Sequence, residues 1–591
     1  MGAALDKLRA RGFEFSASGN SKFSQNLRVS GVPTSSDFTR IDNLPRRVLD
    51  IATTPDLTDV FRHTAICTDG PLPGGRCLLC RQGEARLFPI QSAMLLEANW
   101  MDGLFAGAAV GAGKSLPSLL LKEAMGSKQT VLLVKASLKK KLTEEIALYG
   151  RHFNMPTPGD GFHVLSYNDL SSPKLETILL DLEPDLFILD EAQCVRNQSA
   201  RTRRYRKAAD RFPTARHVNM SGSLIKNSVM DYAHLLRFSL KGFAPLPFEW
   251  NALKDWALAI DPPDVRSGML MGPGVLAKWV REGETVQDGY RRRLTETPGV
   301  VMSKEGSIGT SLEIEHVSIM AKRPTEIVHF LDGLYKLWTW NNEEISMAAR
   351  VSEIAKQISV GFYYRLVWPG GVVDNEWVEA RNAWGSFVRR RAGMNYDGQD
   401  SNLLVWNACT RGEIKSPEYE AWKDVRHRPV PPRETVWISD WFVAELERHA
   451  NELASCVVFV HHPAVLERLE ARGNVVFHAG GKNNAAIAAT REPIIFASYA
   501  HATGKNLQDR WSQMIVTEPP ANGEGFEQTI GRLHRPGQDA DEVYVRVLTA
   551  CLEHEHALAA AYRDELQAVY AQSGSERKML VAKLINWPKS Y

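Results

Sequence analysis

The chain has 591 residues, 44% hydrophobic and 24% charged, with a formal net charge of +2. That length allows three or four domains at roughly 100–200 residues each, and the composition is that of an ordinary globular protein. The charge balance excludes a uniformly basic nucleic-acid coat and confines any such footprint to local patches. The seven cysteines are too few for a disulfide scaffold, and no apolar run reaches the roughly 18–20 residues that span a bilayer. The opening MGAALDKLRARGFEF lacks a signal-peptide core, and Asp6 replaces the Ser or Thr of a myristoylation signal. A reducing, cytoplasmic setting is the expectation.

Residues 1–60, rich in Ser, Thr, Gly, Asn and Pro, read as an accessory segment. A Cys/His cluster follows within 61–85. There His63, Cys67, Cys77 and Cys80 suit a tetrahedral zinc site, because a C-x-x-C beside glycines converges its thiolates on one ion. The alternative is free cysteines packed as small hydrophobes, and the spacing leaves both open.

From 86 to 312 short apolar runs such as TVLLVKA, LFILDEA and ARHVNMSGS alternate with amphipathic stretches, the pattern of buried parallel strands joined by helices. AAVGAGKS (108–115) is a phosphate loop. Gly111, Ala112 and Gly113 let successive backbone N–H groups face phosphate oxygens, Lys114 pairs with the β- and γ-phosphates, and Ser115 holds Mg²⁺. Ala108 departs from the general pattern, which has Gly there. LFILDEAQ (186–193) is an apolar run delivering carboxylates to a strand end. Asp190 is the expected Mg²⁺ partner, Glu191 the base for the attacking water, and Gln193 a γ-phosphate sensor. Basic runs at 201–211, 291–293 and 389–391 are candidate phosphate contacts, though such runs are most often solvated faces.

Residues 313–445 read as a largely helical insertion, in which WVEARNAWGSFVRRR is an amphipathic helix. A second α/β stretch spans 446–560, with strands at CVVFV, PIIFAS, QMIVTE and VYVRVLT, and 561–591 ends the chain with a helix. Within this stretch QTIGRLHRPGQ (528–538) sets Arg532 and Arg535 three residues apart, on one face of an expected helix, where both can reach a γ-phosphate.

The string from Gln528 to Gln538 resembles motif VI of the Swi/Snf-type ATPases of helicase superfamily 2, and other segments fall into that family's order. LFPIQ (87–91) resembles the segment whose glutamine reads adenine, here Gln91. VLLVKASLKKKLTEEI (131–146) and HVLSYNDL (163–170) resemble motifs that face nucleic acid, and MSGS (220–223) resembles motif III with Leu224 in place of its proline. CVVFVHHPAVLERL (456–469) resembles motif IV. SYAHATGKNLQ (498–508) resembles motif V through Gly504, Asn506, Leu507 and Gln508, with His501 and Lys505 where small residues are usual. The compact form is similar to helicase-like proteins that many phages encode.

The resemblance implies an α/β fold of two RecA-like lobes, parallel sheets flanked by helices, plus the helical insertion and the small N-terminal segment. It also implies an ATP- and Mg²⁺-dependent motor that translocates on DNA with little base specificity, ATP being hydrolysed between the lobes. A strand-separating DNA or RNA helicase and a catalytically weak nucleic-acid-binding scaffold are the alternatives. No membrane partner is expected.

Overall fold

The computed structural model describes residues 15–17, 27–29, 37–61, 84–108, 112–171, 174–196, 199–222, 228–261, 273–302, 310–340, 343–345, 348–393, 402–480, 486–487, 489–502, 506–535, 537–572 and 579–587. They divide into two compact units, the first holding most of those up to 302 and the second those from 310 to 563 and from 579 to 587. His63, Cys67, Cys77 and Cys80 lie outside the described residues, as do Gly111 and Gly504. No helix among the described residues is long and apolar enough to cross a membrane.

The first unit is built on strands β1 (Gly103–Gly107), β2 (Thr130–Val134), β3 (Phe162–Ser166), β4 (Leu186–Asp190), β5 (Arg216–Ser221) and β6 (Val300–Met302). They form one six-stranded sheet in the order β3-β2-β4-β5-β1-β6, every neighbouring pair parallel. β1, β2 and β4 are buried along their whole length, as a strand covered on both faces must be. Alternate residues feed two cores. Leu104, Leu132, Ile188 and Val218 pack with helices α1 (Pro89–Met101) and α2 (Ser115–Ala124) on one face. Phe105, Leu133 and Leu189 pack on the other with Trp256, Trp279 and Leu294. Residues 37–47 are tied to both layers, Phe38 and Ile41 entering the second core. Arg40 donates to the carbonyls of Gly242, Ala244 and Leu246, and Arg47 pairs with the buried Glu97.

The second unit has a seven-stranded sheet, also parallel throughout. Its strands are β7 (Ser311–Ser318), β8 (Cys456–Val460), β9 (Val476–Phe477), β10 (Ile494–Ser498), β11 (Gln513–Thr517), β12 (Glu542–Thr549) and β13 (Leu584–Ile585). Their order is β9-β10-β8-β11-β12-β7-β13. Two parallel sheets flanked by helices are the two RecA-like lobes. The strand β7 pairs with β12 over eight residues, so 311–318 belongs to this sheet rather than to the first lobe or the insertion. Its Leu312 and Ile314 enter the core while Ser311 and Ser318 stay exposed.

Between β7 and β8 comes the insertion, mostly helical as expected. An antiparallel pair, Phe362–Leu366 with Arg433–Trp437, brackets helices at Asn375–Gly393, Asn402–Thr410 and Pro417–Val425. Tryptophans hold them together: Trp377 lies edge-on to both Trp368 and Trp422, and Trp384 to Trp406, with ring centroids 5.6–5.8 Å apart. Each such ring buries a large apolar area, which gives this small helical group its own core.

Candidate active site

The loop after β1 carries the first candidate residues. Ala108 is buried at its start, and the ammonium of Lys114 donates to the Ala108 carbonyl at 3.0 Å, folding back over the loop. Gly113 has φ +68°, so the backbone favours glycine there, and a Cβ would stand 2.5 Å from Nε2 of Gln91 and displace that amide. Lys114 and Ser115 open α2, which leaves the first-turn N–H groups of that helix beside the loop, a natural anion site. Gln91 sits in the first turn of α1. Its Oε1 accepts from the Phe88 N–H at 2.8 Å, and its Nε2 donates to the Gly113 carbonyl at 3.0 Å. One amide thereby caps a helix and fixes the phosphate loop.

The acidic box lies two strands from β1, with β5 between them. Asp190 ends β4 and is only 6% exposed. Burial first, and the adjacent Glu191 second, push its carboxyl up to about 7, while Lys114 and Lys135 pull the other way. Glu191 stands in the left-handed region, at φ 62° and ψ 52°, a conformation that costs about 1–3 kcal/mol in a non-glycine residue. The neighbouring side chains hold it: Gln193 donates through Nε2 to the Glu191 carboxylate and accepts through Oε1 from the Ser221 hydroxyl at the end of β5. On the other side the buried Tyr167 hydroxyl donates to the Asp190 carbonyl at 2.8 Å, reaching past β2 from the end of β3. The ends of β3, β4 and β5 are thus linked around the two carboxylates.

In the second lobe the arginine motif departs from the expected geometry. Helix α3 (Gly523–Ile530) stops at Ile530, capped by Gly531, so Arg532 and Arg535 lie in the turns beyond it and not on one helical face. Past Gly531, at φ −63° and ψ 3°, the chain runs in turns and reaches the left-handed region at Gly537, at φ +89°. Arg532 folds back to the Gln528 carbonyl at 3.0 Å, and Arg535 donates to the Asn506 side chain at 2.7 Å. Gln528 bonds Glu524 within the helix. His501 is fully buried and bonds the His478 carbonyl, a structural part for a residue in an unusual place.

The arginines of the basic run 291–293 are engaged within the protein. Arg291 pairs with Asp288, Arg292 with Glu284, and Arg293, 1% exposed, donates to the carbonyls of Ile41 and Leu44. Tyr167 and Ser221 lie within the segments 163–170 and 220–223 matched in sequence, but residue type alone assigns neither of them a positioning part. The available signal was their place immediately after, and at the end of, apolar strands leading to the same sheet edge.

No family model and no curated protein matches the chain. Among solved structures, the Sulfolobus solfataricus SWI2/SNF2 ATPase core in complex with dsDNA is similar, at 13% identity and a TM-score of 0.32, over 84% of this chain and 97% of that one.

Proposed function

We propose that the chain is an ATP-hydrolysing motor that translocates along DNA. One observation carries this reading: a single sheet edge assembles Lys114, Asp190 and Glu191, with Gln193 tying the base to the neighbouring strand. In this reading Lys114 and the loop amides grip the triphosphate. Glu191 takes a proton from the water whose oxygen attacks the γ-phosphorus, as the bond to the β-phosphate oxygen breaks to leave ADP and phosphate. Arg532 and Arg535 are the proposed source of further positive charge for that transition state.

The residues fit a bound Mg²⁺. Asp190 and Ser115 are hard oxygen donors, and a buried carboxyl pushed up to about 7 is one whose surroundings lack the positive charge to keep it ionised. When bound, the ion would neutralise phosphate charge. Zinc at His63, Cys67, Cys77 and Cys80 remains part of the proposal for the N-terminal segment.

DNA is the proposed track because the strand-end segments 131–146 and 163–170 follow the family's nucleic-acid-facing order, and backbone contacts carry little base information. The test is ATP turnover measured without nucleic acid and with double-stranded DNA, single-stranded DNA and RNA. Stimulation by DNA, abolished in Lys114→Ala, is expected. Equal turnover in Lys114→Ala and the unaltered chain would end the motor reading.

A further inference from the structure

The helical insertion presents an apolar tip where a loop is ordinarily polar. Beyond the strand Phe362–Leu366, residues 367–373 read Val-Trp-Pro-Gly-Gly-Val-Val, with no charged, hydroxyl or amide side chain among them. The segment 429–432, just before the partner strand Arg433–Trp437, reads Pro-Val-Pro-Pro. Val367, Val372, Val373 and Val430 are all exposed, Val372 to 75%. An exposed apolar patch of this kind marks a contact surface. The base of the tip is nonetheless fixed. The Val367 N–H donates to the Pro432 carbonyl at 2.8 Å, Gly370 and Gly371 turn the chain at φ 66° and 74°, and Arg428 holds Asp374 at 2.8 Å where the next helix begins. At the other end of its strand, Phe362 enters the core of the second sheet with Val458 and Leu466. About 14 Å of extended chain separates that core from the tip.

Cations gather at the base. Arg433 stands opposite Leu366 and lies over the Tyr364 ring at 5.1 Å, and Arg381 lies over Trp377 at 5.0 Å. Both arginines are exposed, and among the described residues no carboxylate pairs with either. Partial burial first, then Arg433 and Arg350, hold the Arg381 guanidinium below its ordinary range, so like charges are crowded there. A guanidinium lying over a ring keeps its in-plane N–H groups for phosphate oxygens.

We propose that residues 367–373 and 429–430 form a wedge that enters DNA at a junction between paired and single strands, with Arg381 and Arg433 on the adjoining phosphates, so that translocation parts the strands. The proposal rests on the motor reading above. Apolar side chains inserted at a base step replace lost stacking with their own contact, and arginines answer the phosphate charge. Valine, stiff at χ1, suits a wedge, whereas anchors in a membrane surface carry Trp, Phe or Leu on their buried face.

The experiment follows strand separation and ATP turnover by the full chain on labelled forked DNA, with the single-stranded tail of either polarity. The unaltered chain should part at least one fork when ATP is supplied. Val372→Ser with Val373→Ser should slow separation about 10- to 100-fold while DNA-stimulated turnover stays within about twofold. Val372→Ile with Val373→Ile, which keeps the stiff apolar shape, should leave separation within about threefold. Arg381→Gln with Arg433→Gln should weaken fork binding and reduce its log–log salt slope by about two. DNA-stimulated turnover without separation of either fork by the unaltered chain would overturn the wedge and leave the motor reading standing, as would equal separation by the serine variant. Flotation with phosphatidylserine-containing vesicles that is lost in the serine variant, its fork separation unchanged, would assign the tip to a membrane and overturn the proposal. Absence of DNA-stimulated ATP hydrolysis by the unaltered chain would remove the motor reading itself, and the proposal with it.

Discussion

Replacing Asp190 by Asn should abolish hydrolysis and, at alkaline pH, make the ligand-free protein more stable. The carboxyl is buried, has Glu191 beside it, and is pushed from its ordinary 3.8 up to about 7. A carboxyl raised on folding binds more protons in the native than in the unfolded state between those two values, so stability falls as pH rises through that window and stays low above it. At roughly 1.36 kcal/mol per pH unit, the interval corresponds to a penalty of about 4 kcal/mol at most. Asn is nearly isosteric and carries no charge, so it escapes the penalty. The assay is thermal unfolding of both forms without nucleotide or metal, at pH 5 and pH 8. Asp190→Asn should be the higher at both, by less than half as much at pH 5, which lies only about one unit into the window, as at pH 8, where the gap is several degrees, given roughly 2–4 °C per kcal/mol for a lobe of this size. An equal or lower midpoint for Asp190→Asn at pH 8 would refute the placement of this charge.

Removing the Tyr167 hydroxyl with Tyr167→Phe leaves the Asp190 carbonyl short of a donor, and about 1–3 kcal/mol of local stability should be lost, read as faster hydrogen exchange along β4. Gln193→Ala unties Glu191 from Ser221 and should lower kcat about tenfold or more while changing KM little, because the grip on the phosphates is untouched. Glu518, held down to about 2 chiefly by His462 at 3.0 Å against the cost of burial, should contribute stability above pH 4.5 that is lost as pH falls towards 2. The raised His462 contributes below its ordinary 6.5, an effect lost as pH rises through its higher folded value. Glu518→Gln should therefore destabilise the second lobe by about 3–5 kcal/mol at pH 6, checked by hydrogen exchange along β11. Metal analysis of the purified chain should find about one zinc ion if His63, Cys67, Cys77 and Cys80 form a site, and none if the cysteines are free thiols.

Much of the fold was legible because buried parallel strands write themselves as unbroken apolar runs: TVLLV and LFILD became β2 and β4. β7 was harder. SLEIEHVS alternates, as a strand does, but it stands before a long helical stretch, and only its partner more than two hundred residues later shows which sheet it joins. The helix start at Lys114 and the strand end at Asp190 and Glu191 followed from residue type and order. The bonds that position them did not, since Tyr167 and Ser221 are ordinary residues in sequence and acquire roles only when three strands end together. The arginine motif shows the opposite failure. Spacing suggested a helix face, but the helix stops at Ile530 and both arginines fall in the turns after it.

Both lobes place a glutamate in the left-handed region just past the end of a central strand, Glu191 after β4 and Glu518 after β11. The backbone device is shared, yet the electrostatics diverge. Around Glu518 the histidines at 462, 461 and 554 draw the carboxyl down to about 2, so its charge is settled within the protein. At the other edge burial and the neighbouring Glu191 raise Asp190, and Lys114 and Lys135 do not offset them. A buried carboxyl that is raised gains from an arriving cation, whereas one already drawn down beside His462 gains less. The same strained turn therefore stands at a raised carboxyl in the first lobe and a lowered one in the second, a distinction made by two or three side chains and not by the fold.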